Sequence, residues 1–257
     1  MVYMAAIVIT FAVVFLKQKS VVREQDHAAA RAAKKGGQWL LSYQGNFSDP
    51  GIFWAMSEMN NNYCHLDSIN RLVDSRFASA DFSPQEQAYK RLFNYGKVSI
   101  IDYTSLAGRA GSYDDILIPA LYCDINPLPQ NVEEKIFDIK NSLGYDLTHR
   151  YLAMLFLRRN NCNLEEVNEV LPQAAEKIAQ QQQSINEFSD LSAERAVFLQ
   201  LGGFFSQVGK DWVAEITESQ SPDGGWKYTQ LSNLENPHTA ALATWALANY
   251  SKTCVFN

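Results

Sequence analysis

The sequence predicts an all-α protein: helical hairpins in two layers behind an apolar N-terminal segment. Three observations carry this. The body alternates two kinds of helical segment, matching polar residues recur at a regular interval, and strand signals are nearly absent. Of the 257 residues 47% are hydrophobic and 19% charged, a balance that excludes wholesale disorder, collagen and coiled coil. A net charge of −6 argues against a nucleic-acid partner.

Residues 1–16, MVYMAAIVITFAVVFL, carry no charge. With flanking residues the run approaches the roughly 20 residues a spanning helix needs, so residues 1–20 are expected to be a single-pass anchor in contact with membrane lipid. The basic residues Lys17, Lys19, Arg23, Arg31, Lys34 and Lys35 follow the run instead of preceding it. That makes a poor secretory signal and favours a soluble part on the cytoplasmic side. Residues 21–37 are charged and Ala-rich and end in Gly36-Gly37, as expected of a juxtamembrane helix or linker whose cations meet anionic headgroups. The folded domain is then residues 38–257. His27, in the linker, is expected to be inert. Cys64, Cys123, Cys162 and Cys254 form no C-x-x-C pair, which excludes a zinc ribbon. A chain of this size can bury a core without staples, so they are expected as packed free thiols.

In the body, Ser83–Tyr95, Asn131–Leu143, Leu164–Gln183 and Ser206–Gln220 place apolar residues at three- and four-residue spacing, so each buries one face. Tyr113–Cys123, Asp146–Leu157, Leu191–Leu201 and Pro237–Tyr250 are apolar nearly all round and are expected to be buried on every side. His65–Phe77 is more polar, but its position places it in the same class. Val98–Ile101 is the best strand signal. One polar residue near each buried start (His65, Asp115, His149, Glu194, His238) gives intervals of 50, 34, 45 and 44 residues. A helical-hairpin repeat of about 40–47 residues belongs to the array class. Alternating inner and outer helices of this kind can close into a double-layered ring, the closure expected here, although an open solenoid has the same alternation.

Residues 217–250 run Gln220, then Asp223-Gly224-Gly225-Trp226, then a Thr/Ala-rich apolar helix. The stretch resembles the QW-type repeat of squalene–hopene cyclases and related α/α-toroid proteins, in which a Gln and a Trp after a Gly turn staple neighbouring helices. The resemblance implies an α/α toroid. It implies no catalytic residue: the D-x-D-D run of the triterpene cyclases has only Asp114-Asp115 as a counterpart. The zinc ligands of the related prenyltransferase β-subunits lack their D-x-C ahead of Asp146 and His149. Read by residue alone, Asp223-Gly224 is a turn and Trp226 a large apolar plug with an N–H to donate.

His65, His149 and His238 each begin a predicted inner helix, so in a ring they converge on one rim, where the helix dipoles favour neutral imidazole. Asp115, Asp146 and Glu194 fall at the same level, with Asp114 beside them, and supply acids, bases or ligand partners. Cys64, Asn60–Asn62, Tyr63, Tyr113 and Tyr145 lie close by in sequence. The cofactor stays open, a divalent metal being one candidate. Neither H-E-x-x-H nor G-x-S-x-G occurs, and Ala107–Gly111 lacks the ending of a P-loop. Two readings follow. One is an enzyme acting through this rim on a sugar- or isoprenoid-like ligand, small or polymeric, in a central cavity. The other is a non-catalytic membrane-tethered binding or scaffold module.

Overall fold

The computed structural model describes residues 24–45, 47, 49–93, 113–185 and 187–257. The apolar run 1–16, the strand signal at 98–101 and the segment 107–111 lie outside them. The described residues are all-α, with no strand and two isolated bridges, Ser189 to Thr229 and Lys227 to Glu235. Among them no helix is long and apolar enough to cross a membrane.

The helices are α1 (24–42), α2 (Pro50–Met59), α3 (Asp67–Ser79), α4 (Pro84–Ala88), α5 (Asp114–Leu121), α6 (Gln130–Phe137), α7 (Gly144–Arg159), α8 (Leu164–Gln183), α9 (Asp190–Gly202), α10 (Lys210–Glu218) and α11 (Pro237–Ser251). α2, α5, α7, α9 and α11 are buried along most of their length. α2 packs on α11, α11 on α9, α9 on α7 and α7 on α5. α4 touches α5, and the turn that follows it, Tyr89–Leu92, touches α2. The amphipathic helices lie against these: α3 on α2, α6 on α5 and α7, α8 on α7 and α9, α10 on α11. Trp54 and Trp245 meet edge to face at 4.9 Å, and Trp54 and Phe156 at 5.7 Å.

Three expectations are corrected. The first buried helix is α2, not His65–Phe77. In α3 only Ile69, Val73 and Phe77 are buried, because Asp67, Arg71, Asp74 and Arg76 fill its other faces. The four cysteines are paired, Cys64 with Cys254 and Cys123 with Cys162, across 190 and 39 residues. Both pairs lie beyond the C-terminal ends of buried helices, which the fold brings together. Finally, the boundary expected at residue 38 falls inside α1, whose Ala29, Ala33 and Leu40 are fully buried.

α1 comes close because of its glycines. A Cβ on Gly36 would stand 2.2 Å from Thr244 Oγ1 and 2.7 Å from the Trp226 ring. A mid-helix glycine is unfavourable by up to about 1 kcal/mol, and here it admits α11 and the indole. Gln220 Nε2 donates to the carbonyls of Ala32 and Gly224, both at 2.9 Å, binding the end of α10 to α1 and to its own turn. Trp226 is fully buried and donates from Nε1 to the Ile216 carbonyl at 2.8 Å. Replacing Trp226 by Ala removes that plug at the junction of α1, α10 and α11. Urea unfolding should register a loss of about 3–5 kcal/mol.

Candidate functional site

The N-terminal ends of the five buried helices surround a cavity of about 570 Å³, a size suited to a small ligand. Trp54, Phe156, Phe198, Leu242 and Trp245 line its depth. Asp49, Asp114, His149, Glu194 and His238 line the polar part, with Tyr113 and Tyr228. Trp54 and Phe156 also line a separate cavity of about 460 Å³ towards the C-terminal ends, with Arg158. The two rings therefore partition the space between the helices.

Each polar side chain is placed by a helix start. Asp49 caps α2, accepting from Gly51 N at 2.6 Å ahead of Pro50, the first helical residue. Asn236 caps α11 by accepting from Thr239 N at 3.1 Å, which sets His238 in the first turn. Asp190 opens α9 behind the cap Ser189. His149 and Glu194 lie in the second turn of α7 and of α9.

The two cavity histidines are held differently. His238 sits between carboxylates, with Nδ1 2.9 Å from Asp190 Oδ1 and Nε2 3.4 Å from Asp49 Oδ2. Two acceptors on two ring nitrogens call for the doubly protonated ring. Burial by itself would lower its pKa. The Asp190 hydrogen bond and the charges of Asp49, Asp190 and Glu194 outweigh that and push it up to about 10. Asp190, 2% exposed, also accepts from Thr239 Oγ1 at 2.6 Å and Tyr145 Oη at 3.0 Å. Burial would raise its pKa, but the bond and charge of His238 and these hydroxyls hold it below its ordinary value.

His149 lies with Nδ1 2.7 Å from the Tyr145 carbonyl. A carbonyl only accepts, so Nδ1 carries a proton, and the tautomer this selects has its lone pair on Nε2. Among the described residues Nε2 makes no hydrogen bond. The Tyr113 ring stacks on the imidazole, centroids 4.0 Å apart at 17°. Glu194 is 2% exposed; it accepts from Thr148 Oγ1, and its Oε1 is 3.6 Å from His149 Nδ1. Burial raises its pKa, and the opposing pull of His149 and Thr148 leaves it raised, which favours the protonated carboxyl.

Of the predicted residues the structure brings together His149, His238 and Glu194. His65 stands elsewhere: it is exposed, in left-handed backbone (φ 57°), ending the π-helical turn Asn60–Cys64 beyond the C-terminal end of α2. Asn60, Tyr63 and Cys64 go with it, and the Tyr63 hydroxyl donates to Asn249 at 2.8 Å. Asp115 pairs with Lys135 at 2.5 Å. Asp146 takes both oxygens to Arg150 Nε at 3.0 Å. These two acids make ion pairs; Asp114, next to Asp115, lines the cavity, and Asp190 at the start of α9 is buried against His238. Asp49 was legible as an Asp-Pro helix start, and Asp190 as a first-turn acid after Ser189.

Among the described residues no three of His, Cys, Asp and Glu are grouped to hold an ion. The cysteines are in disulfides, and carboxylates face both nitrogens of His238. Comparison with protein-family models, curated proteins and solved structures returns no match.

The His238 clasp joins the starts of α2, α9 and α11 and carries a pH signature. A histidine raised from 6.5 to about 10 on folding stabilises fully below its unfolded pKa and loses the contribution as pH climbs through the folded value. Asp190, lowered from 3.8, contributes above that value and loses it as pH falls. Chemical unfolding of wild type and His238→Gln should therefore differ most between about pH 4 and 6.5, and the gap should close towards pH 10.

Proposed function

We propose that this chain is an enzyme of α/α-toroid architecture, tethered to a membrane by residues 1–20, that acts by acid–base chemistry on a hydroxylated ligand in the central cavity. Ring closure is supported by the packing order, which runs from α2 through α11, α9, α7 and α5 and returns by α4 and its following turn to α2. The observation that carries the reaction is the pairing of His149, whose lone pair is on Nε2, with the buried, proton-favouring Glu194 in one cavity wall. His149 takes the proton from water or a substrate hydroxyl, and Glu194 supplies one to the departing oxygen. His238 is a fixed cation that holds helix starts in place, and it is a poor base while paired to Asp190 and Asp49. A wall part aromatic and part carboxylate and hydroxyl suits a sugar, which has an apolar C–H face and a polar edge. An isoprenoid-like ligand would use the same aromatic depth.

The second reading is a non-catalytic binding module. Leu231 and Leu234, 92% and 77% exposed in the loop after the cavity residue Tyr228, favour it, because such leucines suit a contact surface. The paired cysteines support an oxidising compartment for the domain, in place of the cytoplasmic side that the basic residues favour.

Release of nitrophenol from a panel of nitrophenyl glycosides and prenyl ethers distinguishes the readings. As an enzyme, the wild type turns over at least one of them. His149→Gln then slows it about 10²–10⁴-fold, while His65→Gln keeps the full rate. Binding without turnover in the wild type would leave the binding module. Alkylation of the unreduced native protein followed by mass spectrometry should label no cysteine; four labelled thiols would return the domain to a reducing compartment.

A further inference from the structure

A second cavity, of about 520 Å³, adjoins the central one and is not used by the chemistry above. The two share a wall. Glu86 lines both. On α2, Ile52 and Trp54 line the central cavity while Phe53, between them in sequence, lines the second. The partition is thus one turn of α2 and one carboxylate, and Glu86 is pinned by the start of α4. Its Oε2 accepts from the backbone N and the hydroxyl of Ser83, both at 2.7 Å.

The second cavity has an aromatic side and a polar side. Tyr43 and Phe47 stack at 5.3 Å and 7°, Phe47 meets Phe53 edge to face at 5.6 Å, and Phe53 meets Phe82 at 5.9 Å. Facing them are Gln44, Arg76, Ser79, Asp81 and Glu86. Arg76 is half-buried with its guanidinium carbon 5.2 Å from the Phe47 centroid, and it donates to the carbonyls of Leu40 and Leu41. Those two bonds use two of its five N–H groups. A purely apolar chain would leave this donor and carboxylate side without partners. An inorganic anion would leave the aromatic side unused. A pyranose unit satisfies both, since its C–H face lies on the rings and its hydroxyls reach the amide, guanidinium and carboxylates.

We propose that the two cavities form one cleft for consecutive units of a glycan, with reaction in the central cavity and a further sugar unit bound between the Tyr43–Phe82 wall and Arg76. This rests on the reading of the central cavity as a sugar site, and it narrows the ligand from a sugar or isoprenoid to an oligosaccharide.

The test is binding to full-length His149→Gln protein, which keeps the cleft but turns over slowly. The probes are β-linked oligomers of glucose, N-acetylglucosamine and glucuronate, from one to six units, followed by calorimetry. At least one series should bind more tightly with length, the hexamer exceeding the dimer by about fivefold or more. Tyr43→Ala should bring that hexamer-to-dimer ratio towards one. Gln44→Ala/Asp81→Ala, confined to exposed positions, should lower it in the same direction should Tyr43→Ala fail to fold. Length-independent binding, or variants that leave the ratio unchanged, would overturn the cleft and spare the proposed chemistry. Absence of binding by every series while wild-type protein cleaves prenyl ethers would overturn the sugar assignment itself, and with it the cleft.

Discussion

Five buried helices begin around one cavity, and that convergence is the constraint from which the site follows. Each helix start presents unsatisfied N–H groups and a partial positive charge. Collected in one place and shielded from water, those ends require negative partners. Asp49, Asp114 and Asp190 stand at three of the starts and Asn236 at a fourth, while Glu194 lies one turn deeper. The carboxylates are first a structural necessity. Their settings then diverge: burial raises the pKa of Glu194, whereas the bond and charge of His238 hold that of Asp190 below its ordinary value.

His149 and His238 show how position within a helix decides a side chain's role. His238, in the first turn of α11, meets carboxylates from two other helices, which favour its charged form at neutral pH. His149, one turn further in, meets its own helix's carbonyl at Tyr145 and a carboxyl inclined to stay neutral. The same ring, in the first or the second turn of its helix, thus meets either two carboxylates or a backbone carbonyl.

The sequence exposed what is local and periodic. α5, α7, α9 and α11 were legible because their residues are apolar on every face, and the Gln220 and Trp226 contacts because a turn and two distinctive side chains stand close together. α2 was hidden because PGIFWAMSEM carries Ser57 and Glu58 near its end and no histidine at its start, whereas His65 beyond it matched the polar starts of the other buried helices. The exchange of Asp146 for Asp190 was not legible either. Both are first-turn acids, and which one points inward depends on helix rotation. Asp146 falls beneath Arg150 one turn along its own helix, whereas Asp190 falls opposite Thr239 and His238 of another. The disulfides join positions 190 and 39 residues apart, a separation at which spacing carries no signal.

α1 also bears on mechanics. Its small residues seat it against Trp226, Thr244 and Val255, with Lys35 bound to the Pro222 carbonyl and Trp39 to Asp223. A stretch that composition presents as a swivel is instead a stiff rod clamped into the body. Through Lys35 and Trp39 the helix grips the Pro222–Asp223 turn, in the segment that leads to α11 and His238.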